Sequence, residues 1–179
     1  MDRGTVKVRG HWIMYVWNGL FIFGGLFSCY ILITDGLKFD SVRSIQYLGG
    51  GIIFSPFFIY MTLWILPGYL PPGKVLFTVH TGENGRLTSK KNTVPFYKIK
   101  EIYLKRNPVN LFIEVYVLTN ENKKMRFPTY NLLSELTFYD VIDEHVYPHM
   151  THEAKGHWNH LISTNEVLIR NQYQRKSQL

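Results

Sequence analysis

The chain has 179 residues, of which 46% are hydrophobic, 16% aromatic and only 18% charged, and its formal net charge is +7. That balance excludes a disordered coil, which needs low hydrophobicity and high charge. The charges are also unevenly placed: no Asp, Glu, Lys or Arg occurs over residues 11–34 or 45–73.

Residues 1–10 read as a short cytoplasmic segment carrying Arg3, Lys7 and Arg9. A bilayer core of about 30 Å takes about 20 apolar residues in helical form, and a charge at the helix centre costs about 2.5–3.5 kcal/mol to insert. The two charge-free runs are therefore predicted as transmembrane helices over residues 11–34 and 45–67, joined by an external loop at 35–44. Lys38 and Arg43 in that loop face a larger basic set on the other side, Arg3, Lys7 and Arg9 before the first span and Lys74, Arg86, Lys90 and Lys91 after the second. Positive residues gather on the cytoplasmic side, which predicts cytoplasmic termini and a multi-pass cell-membrane protein. Trp12, Tyr15, Tyr47 and Trp64 sit near span ends, where aromatic rings anchor at the interface.

Leu26-Phe27-Ser28-Cys29 forms a partial lipoprotein cleavage box. The apolar run continues through Tyr30-Ile31-Leu32-Ile33, however, and Phe27 departs from the small-residue pattern. The first span is accordingly read as retained, with Cys29, the single cysteine, as a small apolar residue. Small residues four apart, Gly24 with Ser28 and Gly51 with Ser55, allow a close helix pair or a homodimer. Pro56 predicts a kink in the second span. Neither span holds an Asp, Glu, Lys or Arg to mark an ion or proton path, which argues against a channel or transporter.

Pro67-Gly68 and Pro71-Pro72-Gly73 end the second helix and open a soluble domain over residues 68–150. Strands are expected at 74–80 and 86–89 around the turn Thr81-Gly82-Glu83-Asn84-Gly85, and then, after Lys90-Lys91-Asn92, over 93–105. Arg106-Asn107-Pro108-Val109-Asn110 breaks that strand. Residues 111–118 alternate Ile113, Val115 and Val117 against Phe112, Glu114 and Tyr116, the signature of a half-buried antiparallel strand, and 123–128 is a last short strand. From Asn131, a good N-cap, Leu132, Leu136, Tyr139, Ile142 and Val146 recur at helical steps as far as Pro148. The fold class expected is α+β: a two-helix transmembrane hairpin, then a small antiparallel β barrel or sandwich closed by one amphipathic helix. The tail at 151–179 reads as partly helical over 166–174, interrupted by Ser163-Thr164-Asn165 and frayed at its end.

The strand-turn-strand at 77–87, the segment Val94-Pro95-Phe96-Tyr97-Lys98-Ile99, the hairpin from Leu118-Thr119-Asn120 to Lys124-Met125-Arg126-Phe127, and the helix with Leu136-Thr137-Phe138 together carry a resemblance. In element order, residues 74–150 resemble a bacterial pleckstrin-homology-like (PH-like) domain. With two preceding spans, the whole is similar to small, mostly uncharacterised membrane proteins of Gram-positive bacteria. The resemblance implies an interaction domain with no catalytic residues to carry over. It also admits immunity proteins that protect a producer from its own bacteriocin or secreted toxin.

His145, His149, His152, His157 and His160 raise the question of a metal site. The H-E-x-x-H motif of zinc proteases needs a four-residue step, whereas His152 and His157 are five apart, a rotation of about 500° in place of about 400°. The basic residues Lys90, Lys91, Lys98, Lys100, Lys105, Arg106, Lys123, Lys124 and Arg126 fit solvated turns or docking to an anionic membrane surface. No nucleic-acid motif accompanies them. Gly49-Gly50-Gly51 lacks the Lys-Ser/Thr of a phosphate loop, and Asp140, Asp143 and Glu144 read as solvating carboxylates. No catalytic, cofactor-binding or metal-ligating residue and no cofactor is assigned. The function expected is a noncatalytic integral membrane protein whose cytoplasmic domain binds or regulates a protein partner. Its other expected contacts are the lipid bilayer and a homo-oligomer partner through the spans. A self-protection protein and a histidine-bound metal hydrolase are the alternatives.

Overall fold

The computed structural model describes residues 4–71, 74–82 and 84–175. Pro72 and Gly73 of the expected boundary, Glu83 of the first turn, Arg3, and residues 176–179 of the polar end lie outside the described residues.

The first element is one the hydropathy pattern does not reveal. Thr5–Arg9 forms a strand, β1, of alternating polar and β-branched residues, followed by two long helices, α1 (Trp12–Gly36) and α2 (Val42–Tyr69), and then β2 (Val75–His80). β1 pairs antiparallel with β2, setting Val6 against Val79 and Val8 against Phe77. The helical hairpin is thus an excursion between two neighbouring strands of one sheet. Within the segment 1–10, for which the sequence suggested no strand, Thr5–Arg9 is an edge strand whose Val8 is buried.

Both helices are long and apolar enough to cross a membrane, and only 11% of each most apolar window is buried within the protein. A core helix of a soluble domain hides most of its surface, and these do not. They pack on each other through small residues. A side chain at Gly25 would overlap the Phe58 ring, one at Gly36 would overlap Leu48, and one at Gly51 would meet Ile33. Gly24, expected at a close contact, instead faces open space. The Ser55 hydroxyl donates to the Gly51 carbonyl at 2.6 Å, beside Pro56, which lies inside the continuous helix α2.

Past α2, β2 is joined by β3 (Arg86–Thr88) and β4 (Thr93–Pro95), giving a sheet ordered β1-β2-β3-β4. The strand expected over 93–105 is broken, because after Pro95 the backbone makes a 3-10 turn at Phe96–Lys98 that buries Phe96. This turn carries the chain into a second antiparallel sheet of β5 (Ile99–Arg106), β6 (Ile113–Thr119) and β7 (Lys124–Phe127). No ladder joins the two sheets among the described residues, so neither closes into the barrel that was one expectation. Val79, Leu87 and Val94 from the first sheet and Ile99, Val117 and Phe127 from the second meet in one core.

Helices cover that core. α3 (Glu135–His145) is preceded by Ser134 as its cap residue, not by the expected Asn131. Tyr130 and Asn131 both take left-handed backbone angles, and the Asn131 side chain bonds Asn18 of α1 at 3.1 Å. Leu132, expected on the helix, is buried ahead of it, close to Gly10 and Gly68 at the ends of the hairpin. One helix does not suffice as a cover. α4 (His152–Thr164) packs Trp158 against both Phe138 and Tyr139, with ring centroids at 6.0 and 5.5 Å. The interruption expected at 163–165 narrows to one residue, since Ser163 and Thr164 belong to α4 and Asn165 alone separates it from α5 (Glu166–Arg170), which it caps by accepting from the Val167 amide at 2.9 Å.

Candidate functional site

The last turns of α2 stand beside the sheets, and a cavity of about 540 Å³ opens between them. Its apolar wall is Leu63, Trp64 and Pro67 of α2 with Val75 and Leu76 of β2, and its far side is the β3–β4 turn with Arg126, Pro128 and Tyr130. That turn is held by two hydrogen bonds. The Ser89 amide donates to the Asn92 carbonyl at 2.7 Å, and the Asn92 side-chain amide donates to the Arg126 carbonyl at 2.7 Å, linking the first sheet to the second. Lys90 and Lys91 project from the turn into the cavity lining, and among the described residues no carboxylate lines it. A second cavity of about 480 Å³ lies at the ends of the hairpin, with Arg9, Lys74, Tyr15 and Tyr69 in its wall. There the Tyr69 hydroxyl donates to the Tyr15 carbonyl at 2.6 Å, and the two rings meet edge to face.

Chemically, the first cavity offers cations on one side and hydrocarbon on the other. That combination suits an anionic group attached to an apolar body, because charge pairing and apolar burial are satisfied together. Arg126 is held in position by the buried carboxylate of Glu114, with Nε to Oε2 at 3.5 Å.

The basic residues singled out in the sequence do not form one patch. Lys90, Lys91 and Arg126 converge on the cavity. Lys98 pairs with Glu121 at 2.7 Å, and its ammonium holds that carboxyl below the usual range. Lys100 lies 3.7 Å from Glu153, and Lys124 sits over the Tyr116 ring at 4.4 Å. Lys105 and Arg106 flank the β5–β6 loop, and Lys123 is exposed in the β6–β7 turn.

The histidines are likewise dispersed. His149 stacks on Phe96, His145 faces Glu144 at 3.7 Å, and His157 lies between Glu101 and Glu153 at 3.8 and 4.0 Å. Among the described residues no three His, Cys, Asp or Glu side chains gather as a metal set. Two carboxylates expected on solvated faces are in fact buried. Asp143 is fully enclosed and accepts from Trp158 Nε1 at 3.2 Å and from Arg175 Nη2 at 2.9 Å. Glu114 is 2% exposed and accepts from the side-chain amides of Asn107 and Asn110 and from the Tyr116 hydroxyl. Burial also pushes the Tyr139 phenol up to about 12, and Asn165 donates to that oxygen at 2.7 Å.

The apolar half of the cavity was not legible as a site. Trp64 stands out in the sequence as an interfacial aromatic, yet nothing local connects it with Lys90 or Arg126.

The comparisons with known proteins agree with this architecture in extent. Bacillus subtilis (strain 168) has a protein named Uncharacterized lipoprotein YfjD that is 27% identical over 161 residues, covering 88% of this chain and 87% of the relative. Uncharacterized protein YfjE of the same organism is 27% identical over 129 residues, covering 70% of this chain and 85% of the relative. No solved structure matches. The stretch 4–168, which runs from the residue before β1 through the hairpin and both sheets into α5, matches the profile of a family of unknown function, DUF5381, and the chain belongs to that family.

Proposed function

We propose that this chain is a noncatalytic, two-span membrane protein whose domain, facing the cytoplasm, holds a protein partner against the inner surface of the bilayer. The observation that carries the reading is the β1–β2 pairing across the hairpin. Two helices that leave and re-enter one sheet must begin and end on the same side of a membrane, so the domain is held close to the bilayer. The excess of Lys and Arg at the domain end supports a cytoplasmic orientation. Six antiparallel strands among the described residues of 74–150, followed by a helix, support the PH-like reading of the domain. The noncatalytic reading draws on the separate engagement of the candidate groups, Asp143 and Glu114 in buried bonding and the histidines with different neighbours.

The cavity beside α2 indicates the partner's chemistry. Its apolar wall and the cations Lys90, Lys91 and Arg126 complement a membrane protein with an acidic segment next to its own span. A photocrosslinking residue at Ser89 in living cells tests this. The expected product is a crosslinked membrane protein bearing such an acidic segment, lost in the Lys90→Glu/Lys91→Glu double variant. Crosslinks to lipid alone, or a product insensitive to both charge reversals, would contradict the proposal.

A further inference from the structure

The β5–β6 loop reaches back along the hairpin. The Tyr60 hydroxyl of α2 donates to the Val109 carbonyl at 2.9 Å, although Tyr60 lies about 13 Å along the helix from Tyr69 at about 1.5 Å rise per residue. Measured from Ile45, where the charge-free span begins, a hydrocarbon core of about 30 Å ends near Ile65, which sets Tyr60 just inside its boundary. The loop tip therefore stands at the edge of the bilayer that the proposed topology requires.

Its surface matches that position. Val109 is 65% and Leu111 51% exposed, with Pro108 exposed between the buried Asn107 and Val109. Behind this apolar tip come the exposed cations Lys105 and Arg106. The Arg106 guanidinium donates to the Leu111 carbonyl at 3.1 Å.

The loop's backbone is also prepared for a medium without water. Lipid cannot satisfy peptide groups, so a chain that enters it must satisfy them internally. The Asn107 amide donates to the Phe112 carbonyl and the Leu111 amide to the Asn107 carbonyl. The Val109 amide donates to Asn107 Oδ1, and the Phe112 amide to Asn110 Oδ1, while Pro108 has no amide hydrogen to place. Buried Glu114 accepts from the side-chain amides of both asparagines, at 2.9 and 3.3 Å, and so fixes the loop before it meets the membrane. Leu111 is held in a left-handed conformation, φ 62°, which turns an exposed leucine outward at a place where aqueous solvent would favour Gly or Asn.

We infer that the Pro108–Leu111 loop is a membrane-insertion element: its apolar tip enters the headgroup–hydrocarbon boundary of the leaflet nearest the domain, and Lys105 and Arg106 pair with anionic lipid headgroups. The inference rests on the membrane-spanning reading of α1 and α2, to which it adds a third point of attachment that fixes the domain's tilt on the bilayer.

The test uses the full chain with Cys29→Ser, carrying a single environment-sensitive fluorophore at Val109→Cys, Ile53→Cys or Lys123→Cys. The protein is reconstituted in vesicles of phosphatidylethanolamine and phosphatidylglycerol. Ile53 is an exposed residue well inside α2, and Lys123 lies in the turn at the other end of β6. The expected result is a blue-shifted emission at 109, quenched by nitroxide placed high on the acyl chain and shielded several-fold from aqueous iodide relative to 123. Emission at 109 that matches 123, while 53 is quenched by lipid nitroxide, overturns the insertion and leaves the spans standing. Iodide access at 53 overturns the spanning reading and the insertion with it.

Discussion

Asp143 is the residue on which the helical cover closes. It lies on α3, fully enclosed, and receives the indole of Trp158 from α4 and the guanidinium of Arg175 from the chain's last described residues. Arg175 also donates to Asn159 at 2.7 Å and stacks over the Tyr147 ring at 4.5 Å. Breaking a buried ion pair from one side costs far more than an exposed pair contributes, because a charge stays enclosed without its counterion. Arg175→Ala should therefore destabilise the domain by about 3 kcal/mol, measured as a lower thermal unfolding midpoint in detergent; an unchanged midpoint would show that the tail adds nothing to the cover. These roles were hidden in the sequence for a physical reason. Period and polarity place a carboxylate at a helical or strand position without revealing partners that are 32 residues away, as for Asp143 and Arg175. Glu114 was hidden differently, since alternation assigned it to solvent while the β5–β6 loop folds over that face of β6.

Among the elements, β1 decides how the hairpin is attached. Hydropathy marked both long helices, because a charge-free run of this length is a one-dimensional property. It passed over β1, because five residues acquire meaning only from a partner strand that lies beyond both helices. The 3-10 turn after Pro95 and the left-handed pair Tyr130 and Asn131 were missed for a similar reason: each is a change of chain direction imposed by packing. The pairing of β1 bears on processing. Cleavage ahead of Cys29 would remove Thr5–Arg9 and uncover the edge of β2, including Phe77, which is 2% exposed. Cys29 itself is buried, and its carbonyl lies against Gly51 of α2. The protein extracted from its native membrane should thus retain its N-terminal residues and carry no lipid on Cys29, as read by intact mass. A mature chain beginning at a diacylglyceryl-modified Cys29 would contradict the role given to β1.

For the whole molecule, hairpin and domain form a single unit. The sheet takes up both ends of the hairpin, Leu132 fills the space near Gly10 and Gly68, Asn131 bonds Asn18, and the β5–β6 loop bonds Tyr60. With attachments at so many points, membrane orientation determines which solvent compartment the cavity and its cations meet. The most direct test is labelling of intact cells with a membrane-impermeant maleimide, using Cys29→Ser chains that carry either Ser41→Cys in the hairpin loop or Lys123→Cys in the domain. The expected result is labelling at 41 from outside and labelling at 123 only after permeabilisation. Labelling at 123 in intact cells would place the domain outside and contradict it, and equal access at both positions would mean that the hairpin does not cross the membrane.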